Sequence, residues 1–156
     1  MKAASVSEIK QVLKEKPQSE LVELCLRLSR FKKENKELLT FLLFEEDDLD
    51  AYIRNVKGEI EEGFQEVRTS SLYLAKKTIR KILSITNKYI RYTGSKQAET
   101  ELLIHFCREL QELKLPLHKS TALENLYNSQ VKKVRAAIAT MHEDLQYDYL
   151  REVENL

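Results

Sequence analysis

The sequence predicts an all-α protein, and three features support this fold class. Only three glycines and two prolines occur in 156 residues, and because these residues punctuate turns, the connections should be few and short. Apolar residues recur at spacings of three and four, which places them along one face of a helix. No segment alternates apolar and polar residues long enough to predict a strand. The length favours a single domain, residues 1–156, with about seven helices.

Three short helices are predicted in the N-terminal part. Ser5 and Glu8 have the spacing of a capping box, which opens the first helix. Pro17 ends this helix and starts the second, because proline is well tolerated in the first turn. Residues 35–44 are apolar almost all round, which favours a third helix buried on several sides. The alternative is that part of this segment faces a second copy of the chain.

Four longer helices follow at nearly equal intervals. Their predicted N-terminal caps are Asp48, Ser71, Ser95 and Ser120, or Thr121 in place of the last. The four caps are 23, 24 and 25 residues apart, and Gly94 has the position of a left-handed residue that closes a helix. Equal lengths and short loops favour a bundle-like array of antiparallel helices, with an irregular helical-repeat solenoid as the alternative. The last helix is expected to continue as far as Val153.

Charge is segregated between the first two of these longer helices. Residues 45–66 contain nine acids and two bases, a net charge of −7, whereas residues 69–98 contain seven bases and no acid. At 100° per residue, five basic side chains of the second helix lie opposite its apolar stripe. These candidate binding residues, here called the basic stripe, are Lys77, Arg80, Lys81, Lys88 and Arg91.

Two interpretations of the basic stripe are open. The acidic helix could neutralise it, or it could face solvent and bind a protein or a phosphate backbone. The position opposite the apolar stripe favours solvent. We therefore expect Lys77, Lys81 and Lys88 to be mostly exposed, with few carboxylate partners from the preceding helix.

No set of residues in the sequence has the spacing of an active site, so we predict no enzymatic activity, no cofactor and no small-molecule substrate. Glu101, His105 and Glu109 follow one side of a helix at intervals of four. One helix cannot enclose an ion alone, so no metal site is predicted. Cys25 and Cys107 fall in or beside apolar stripes and are expected to be buried thiols.

The remaining expectations concern location and partners. No signal peptide and no bilayer-spanning segment is predicted, and two lone cysteines favour a reducing, cytoplasmic setting. We expect a protein-interaction or scaffold module with a protein partner or self-association, as a homodimer through Leu38–Phe44. The alternative is a nucleic-acid-associated protein that uses the basic stripe. Membrane association is not expected.

Three stretches of the chain together resemble a group of small, all-helical bacterial proteins with no assigned activity. They are Leu21–Leu43, Tyr89–Cys107 and His142–Tyr149, and they cover about a third of the sequence. The resemblance implies a bacterial, cytosolic helical protein. It transfers no functional residue to this chain.

Overall fold

The computed structural model describes residues 1–156 and confirms the all-α class: eight α-helices and no strand. The helices are α1 (Val6–Lys14), α2 (Gln18–Phe31), α3 (Lys33–Thr40), α4 (Leu49–Gln65), α5 (Leu72–Thr93), α6 (Lys96–Glu112), α7 (Thr121–Ile138) and α8 (Glu143–Val153). A π-helical turn, Phe41–Glu45, and two single 3-10 turns, Glu46–Asp48 and Leu117–Lys119, complete the regular structure. The chain divides into two compact units, residues 1–44 and 45–156. The single domain predicted from the length stays a prediction.

The N-terminal unit contains α1, α2 and α3. The predicted capping box is confirmed: the Ser5 amide donates to a Glu8 carboxylate oxygen at 2.7 Å, and the Glu8 amide donates to Ser5 Oγ at 3.3 Å. Pro17 lies just before α2, as predicted. Helices α2 and α3 pack against each other, and the Asn35 side chain donates to the carbonyl of Leu28 at 2.8 Å.

The expected burial of residues 35–44 is wrong. Helix α3 ends at Thr40, and of the whole N-terminal unit only Phe41 is buried. Leu42, Leu43 and Phe44 are 45%, 62% and 77% exposed. Three short helices cannot enclose so many apolar side chains, because a core needs several layers of packed elements around it. The prediction that Cys25 is buried is wrong for the same reason, because the small unit leaves this side chain exposed.

The predicted caps of the C-terminal unit are confirmed. The side chains of Asp48, Ser71, Ser95 and Ser120 each accept a hydrogen bond from the backbone amide three residues later, and they begin α4, α5, α6 and α7. These bonds satisfy amides that would otherwise have no partner at the helix ends. Gly94 closes α5 in the left-handed conformation, with φ of 59°.

Helix α6 is the centre of the C-terminal unit and makes contact with α4, α5, α7 and α8. Its buried residues are Ala98, Thr100, Leu102, Leu103, Ile104, Phe106, Cys107 and Leu110. The ring of Phe106 is fully buried and meets Phe64 of α4 edge to face, with centroids 5.3 Å apart. Cys107 is buried as predicted, and its burial raises the pKa of the thiol to about 12.

Helices α4 and α6 lie side by side and run in the same direction. Near their N-terminal ends Gln97 donates to Asp50 at 3.2 Å, and two turns or more later His105 Nε2 lies 3.0 Å from a Glu61 oxygen. Helix α5 runs the opposite way to α4. Tyr52, early in α4, donates to the carbonyl of Tyr89, late in α5, at 3.2 Å.

This packing order resembles stacked hairpins more than a closed bundle. The hairpin α4–α5 is followed by the hairpin α6–α7. The second hairpin packs on the first through α6, which contacts both α4 and α5. A closed four-helix bundle would bring α4 against α7, and these two helices make no extensive contact. Neighbour-only packing is the pattern of the solenoid alternative.

The last predicted helix is two helices, which corrects the expectation that it continues to Val153. Helix α7 ends at Ile138, and α8 begins after the cap residue His142. The Gln146 side chain of α8 donates back to the carbonyl of Met141 at 2.7 Å and so stabilises the turn. No glycine or proline marks this break, and the apolar spacing continues across it, so the sequence pattern could not reveal it.

Candidate functional site

The basic stripe lies on α5, and four of its five residues are exposed. Lys77, Arg80, Lys81 and Arg91 are exposed and have no carboxylate within 4.0 Å. This confirms the expectation for Lys77 and Lys81. Lys88 differs, because it is half-buried with its ammonium 4.9 Å from the ring centre of Tyr89. A cation over an aromatic face is stabilised by the ring's quadrupole.

Two carboxylates of α4 contact residues outside the basic stripe. Glu59 accepts a hydrogen bond from the hydroxyl of Tyr89 at 2.9 Å, and Glu61 lies against His105 of α6. The acidic helix therefore leaves the four exposed cations of the basic stripe unneutralised at short range. Whether the stripe binds anything stays a prediction.

The N-terminal unit exposes a second candidate surface, which is apolar. Its large apolar side chains from Val6 onwards that are at least 45% exposed are here called the N-terminal apolar surface. They are Val6, Ile9, Val12, Val22, Leu28, Phe31, Leu42, Leu43 and Phe44. A groove of about 220 Å³ lies between α2 and α3, with Cys25, Leu28, Leu38 and Leu42 among its lining residues. Scattered apolar side chains are normal on a protein surface, but a concentration on one small unit is typical of an interaction surface.

A polar network connects the parallel helices α4, α6 and α8, and sequence reasoning missed it. Glu101, on α6, accepts hydrogen bonds from Lys57 of α4 at 3.1 Å, from Gln97 at 3.1 Å and from the Tyr149 hydroxyl of α8 at 2.9 Å. One helical turn or more further along, Arg108 pairs with Glu152 of α8 at 3.0 Å. The pairs that join different helices are 44 to 48 residues apart along the chain, and no local spacing rule detects such a separation.

The network shifts the pKa values of its members. Burial by itself would raise the pKa of the Glu101 carboxyl, but the hydrogen bonds from Gln97, Tyr149 and Lys57 together lower it below 4.5. These donors stabilise the charged carboxylate. Burial, and then the hydrogen bond to Glu101, raise the pKa of the Tyr149 hydroxyl. Glu101 is therefore an ionised acceptor that links three helices.

A second polar cluster brings together Glu61 of α4 with His105 and Glu109 of α6. Their nearest ligand atoms all lie within 4.8 Å of one another. Burial lowers the pKa of the His105 imidazole, and the charges of Lys57 and Arg108 lower it further against the opposing effect of Glu61. Burial also raises the pKa of Glu109, as do the charges of Glu112 and Glu61. The spacing in the sequence placed Glu101, His105 and Glu109 on one side of α6. In the structure Glu101 belongs to the first network, and Glu61 of α4 is the residue that joins His105 and Glu109.

Comparison with protein-family models, curated proteins and solved structures found no match in any of the three. None of the helices combines the length and the apolar composition needed to cross a membrane.

Proposed function

We propose that this chain is a non-enzymatic protein-interaction module that associates with itself through the N-terminal apolar surface. The observation that carries the proposal is the exposure of Leu42, Leu43 and Phe44 in a unit with one buried residue. Packing those side chains against a second copy removes apolar area from water, which contributes about 25 cal/mol for each Å². The stacked hairpins of the C-terminal unit add support, because such arrays commonly present binding surfaces.

Phe44→Glu should reduce self-association by about tenfold or more. A fully buried phenylalanine contributes about 1.5–3 kcal/mol, and a carboxylate in its place would have to be desolvated on association. Sedimentation equilibrium at low and high salt measures the effect. High salt should leave the wild-type association intact, because apolar association does not depend on charge screening.

Tyr73→Glu is the matched control for this experiment. Tyr73 is an aromatic residue 70% exposed on α5, close to the 77% exposure of Phe44. The Tyr73→Glu substitution introduces the same charge outside the N-terminal apolar surface and should leave association unchanged. A wild-type chain that stays monomeric at high concentration, or equal losses in the two variants, would contradict the proposal.

A second candidate function is binding to a nucleic-acid backbone through the basic stripe. One observation favours it: Lys77, Arg80, Lys81 and Arg91 are exposed on one helix without carboxylate partners. Cations arranged in this way can replace the counterions of a phosphate backbone, and the resulting affinity falls steeply as salt rises.

Lys77→Glu together with Lys81→Glu should abolish binding to DNA or RNA and should change the free energy of unfolding by less than about 0.5 kcal/mol. Fluorescence anisotropy with labelled oligonucleotides across a salt series measures the affinity. Lys10→Glu with Lys14→Glu makes the same change of net charge on α1, where both lysines are exposed, and serves as the control. Equal losses in both double variants, or wild-type binding that ignores salt, would exclude the basic stripe.

A further inference from the structure

We propose that Glu61, His105 and Glu109 form a binding site for a divalent transition-metal ion, with Zn²⁺ as the best fit, between α4 and α6. The site is independent of the association proposed above. It lies wholly within the C-terminal unit and uses no residue of the N-terminal apolar surface or of the basic stripe.

The geometry suits a tetrahedral ion. His105 Nε2 lies 3.0 Å from a Glu61 oxygen and 3.9 Å from a Glu109 oxygen. Ligand atoms about 2.1 Å from a zinc ion in tetrahedral coordination are about 3.4 Å apart, and the two observed separations bracket this value. All three ligand atoms lie within 4.8 Å of one another, so binding would require the two carboxylates to turn towards the ion.

The local structure makes these three side chains convergent. His105 and Glu109 are one turn apart on α6, so they leave the helix on the same side. Glu61 approaches them from α4, which runs parallel to α6 and places this carboxylate beside His105. The sequence pattern gave ligands on one helix only, and one helix cannot enclose an ion. Glu61 adds a ligand from a second helix.

The three residues lack a partner that a bound cation would supply. His105 Nε2 is shielded from solvent and makes no well-directed hydrogen bond, even though Glu61 is near. The neighbouring cations are engaged elsewhere, Lys57 by Glu101 and Arg108 by Glu152. The two carboxylates of the cluster therefore share only an imidazole as their close partner.

The donor set also indicates the kind of ion. One imidazole nitrogen with two carboxylate oxygens suits Zn²⁺, whereas Mg²⁺ and Ca²⁺ prefer oxygen ligands alone. Three protein ligands leave a fourth position for water, and the 50% exposure of the Glu61 side chain places that position towards solvent. Binding would join α4 to α6 and stabilise the C-terminal unit by mass action.

Isothermal titration calorimetry with ZnCl₂ tests the proposal. All proteins carry Cys25→Ser, which removes the exposed thiol as a competing ligand. We expect one zinc ion per chain and a thermal midpoint that rises with zinc concentration. Glu61→Gln should weaken the affinity by about tenfold or more, since even the loss of an outer-shell partner typically costs 10- to 100-fold. His105→Gln should weaken it at least as much.

The matched control is Glu62→Gln, which removes the neighbouring exposed carboxylate on α4 and should leave zinc affinity unchanged. Glu61 is half exposed, so Glu61→Gln is expected to fold, and circular dichroism checks this for every variant. Absence of stoichiometric zinc binding by the parent protein would overturn the proposal. Equal affinities of the Glu61→Gln and Glu62→Gln variants would overturn it as well.

Discussion

Phe106→Ala is expected to lower the free energy of unfolding by about 3–5 kcal/mol, the usual cost of truncating a fully buried phenylalanine. The ring is completely shielded from solvent on α6 and packs edge to face on Phe64 of α4. Truncation removes the transfer free energy of the ring and leaves a cavity beside Phe64. Most domains are stable by about 5–15 kcal/mol, so this one change should remove a large part of the total. Urea denaturation followed by circular dichroism measures it.

Two further variants make the Phe106 test specific. Phe106→Leu keeps most of the volume and should cost less than about 1.5 kcal/mol. Tyr73→Ala removes an aromatic ring that is 70% exposed, and it should change stability by no more than about 0.5 kcal/mol. If Phe106→Ala were as mild as Tyr73→Ala, α6 would not be the centre of the C-terminal unit.

The parts of the fold that could be predicted are those with local causes. The Ser5 capping box, the caps at Asp48, Ser71, Ser95 and Ser120, and the left-handed Gly94 each depend on side chains within a few residues of one another. The break before α8 could not be predicted. It depends on Gln146 reaching back to the carbonyl of Met141, and neither residue type is a specific signal for a turn.

Burial was harder to predict than helix position. Apolar spacing identifies the face of a helix that can be buried, but whether it is buried depends on what packs there. In the C-terminal unit the prediction succeeds, because α6 is surrounded by four helices. In the N-terminal unit the same pattern leaves Phe44 and Cys25 exposed. A sequence pattern therefore cannot distinguish a core face from an interaction surface.

The candidate sites also divide into features with local causes, which could be predicted, and features that depend on helix packing, which could not. Exposure of Lys77 and Lys81 could be predicted, because it follows from the angle on one helix. The pairing of Glu61 with His105 could not, since these residues are 44 positions apart in the chain and meet only because α4 and α6 run parallel. Long-range juxtaposition needs the packing order of the helices, and that order is set by the whole core.

Glu101→Gln is expected to lower the free energy of unfolding at neutral pH by about 1–3 kcal/mol, because hydrogen bonds to a charged acceptor are among the stronger ones. Three donors converge on this carboxylate, from Lys57, Gln97 and Tyr149. Glutamine keeps the size but has no charge, and it offers one acceptor oxygen instead of two. Denaturation in urea across a pH series measures the loss.

The effect should depend on pH in a defined direction. The pKa of Glu101 in the folded chain is lowered below its ordinary value of 4.5, so near that pH the unfolded chain binds more protons than the folded one. The stability from Glu101 is therefore present above 4.5 and is lost as the pH falls through the folded pKa. The difference between wild type and Glu101→Gln should be largest at neutral pH and should shrink in acid. A difference that stays constant with pH would contradict the role of the charge.

Two comparisons separate the network from a general loss of charge. Glu99→Gln, on the same helix, breaks only a local contact with Lys96 and should cost no more than about 0.5 kcal/mol. A double-mutant cycle of Glu101→Gln and Tyr149→Phe should show a coupling of about 0.5–3 kcal/mol, the range for residues in one hydrogen-bond network. Coupling within that range would mean that Glu101 holds α8 against α6. Strict additivity would mean that the Glu101–Tyr149 hydrogen bond does not hold α8 against α6. The Arg108–Glu152 pair and apolar packing would then be left to hold it.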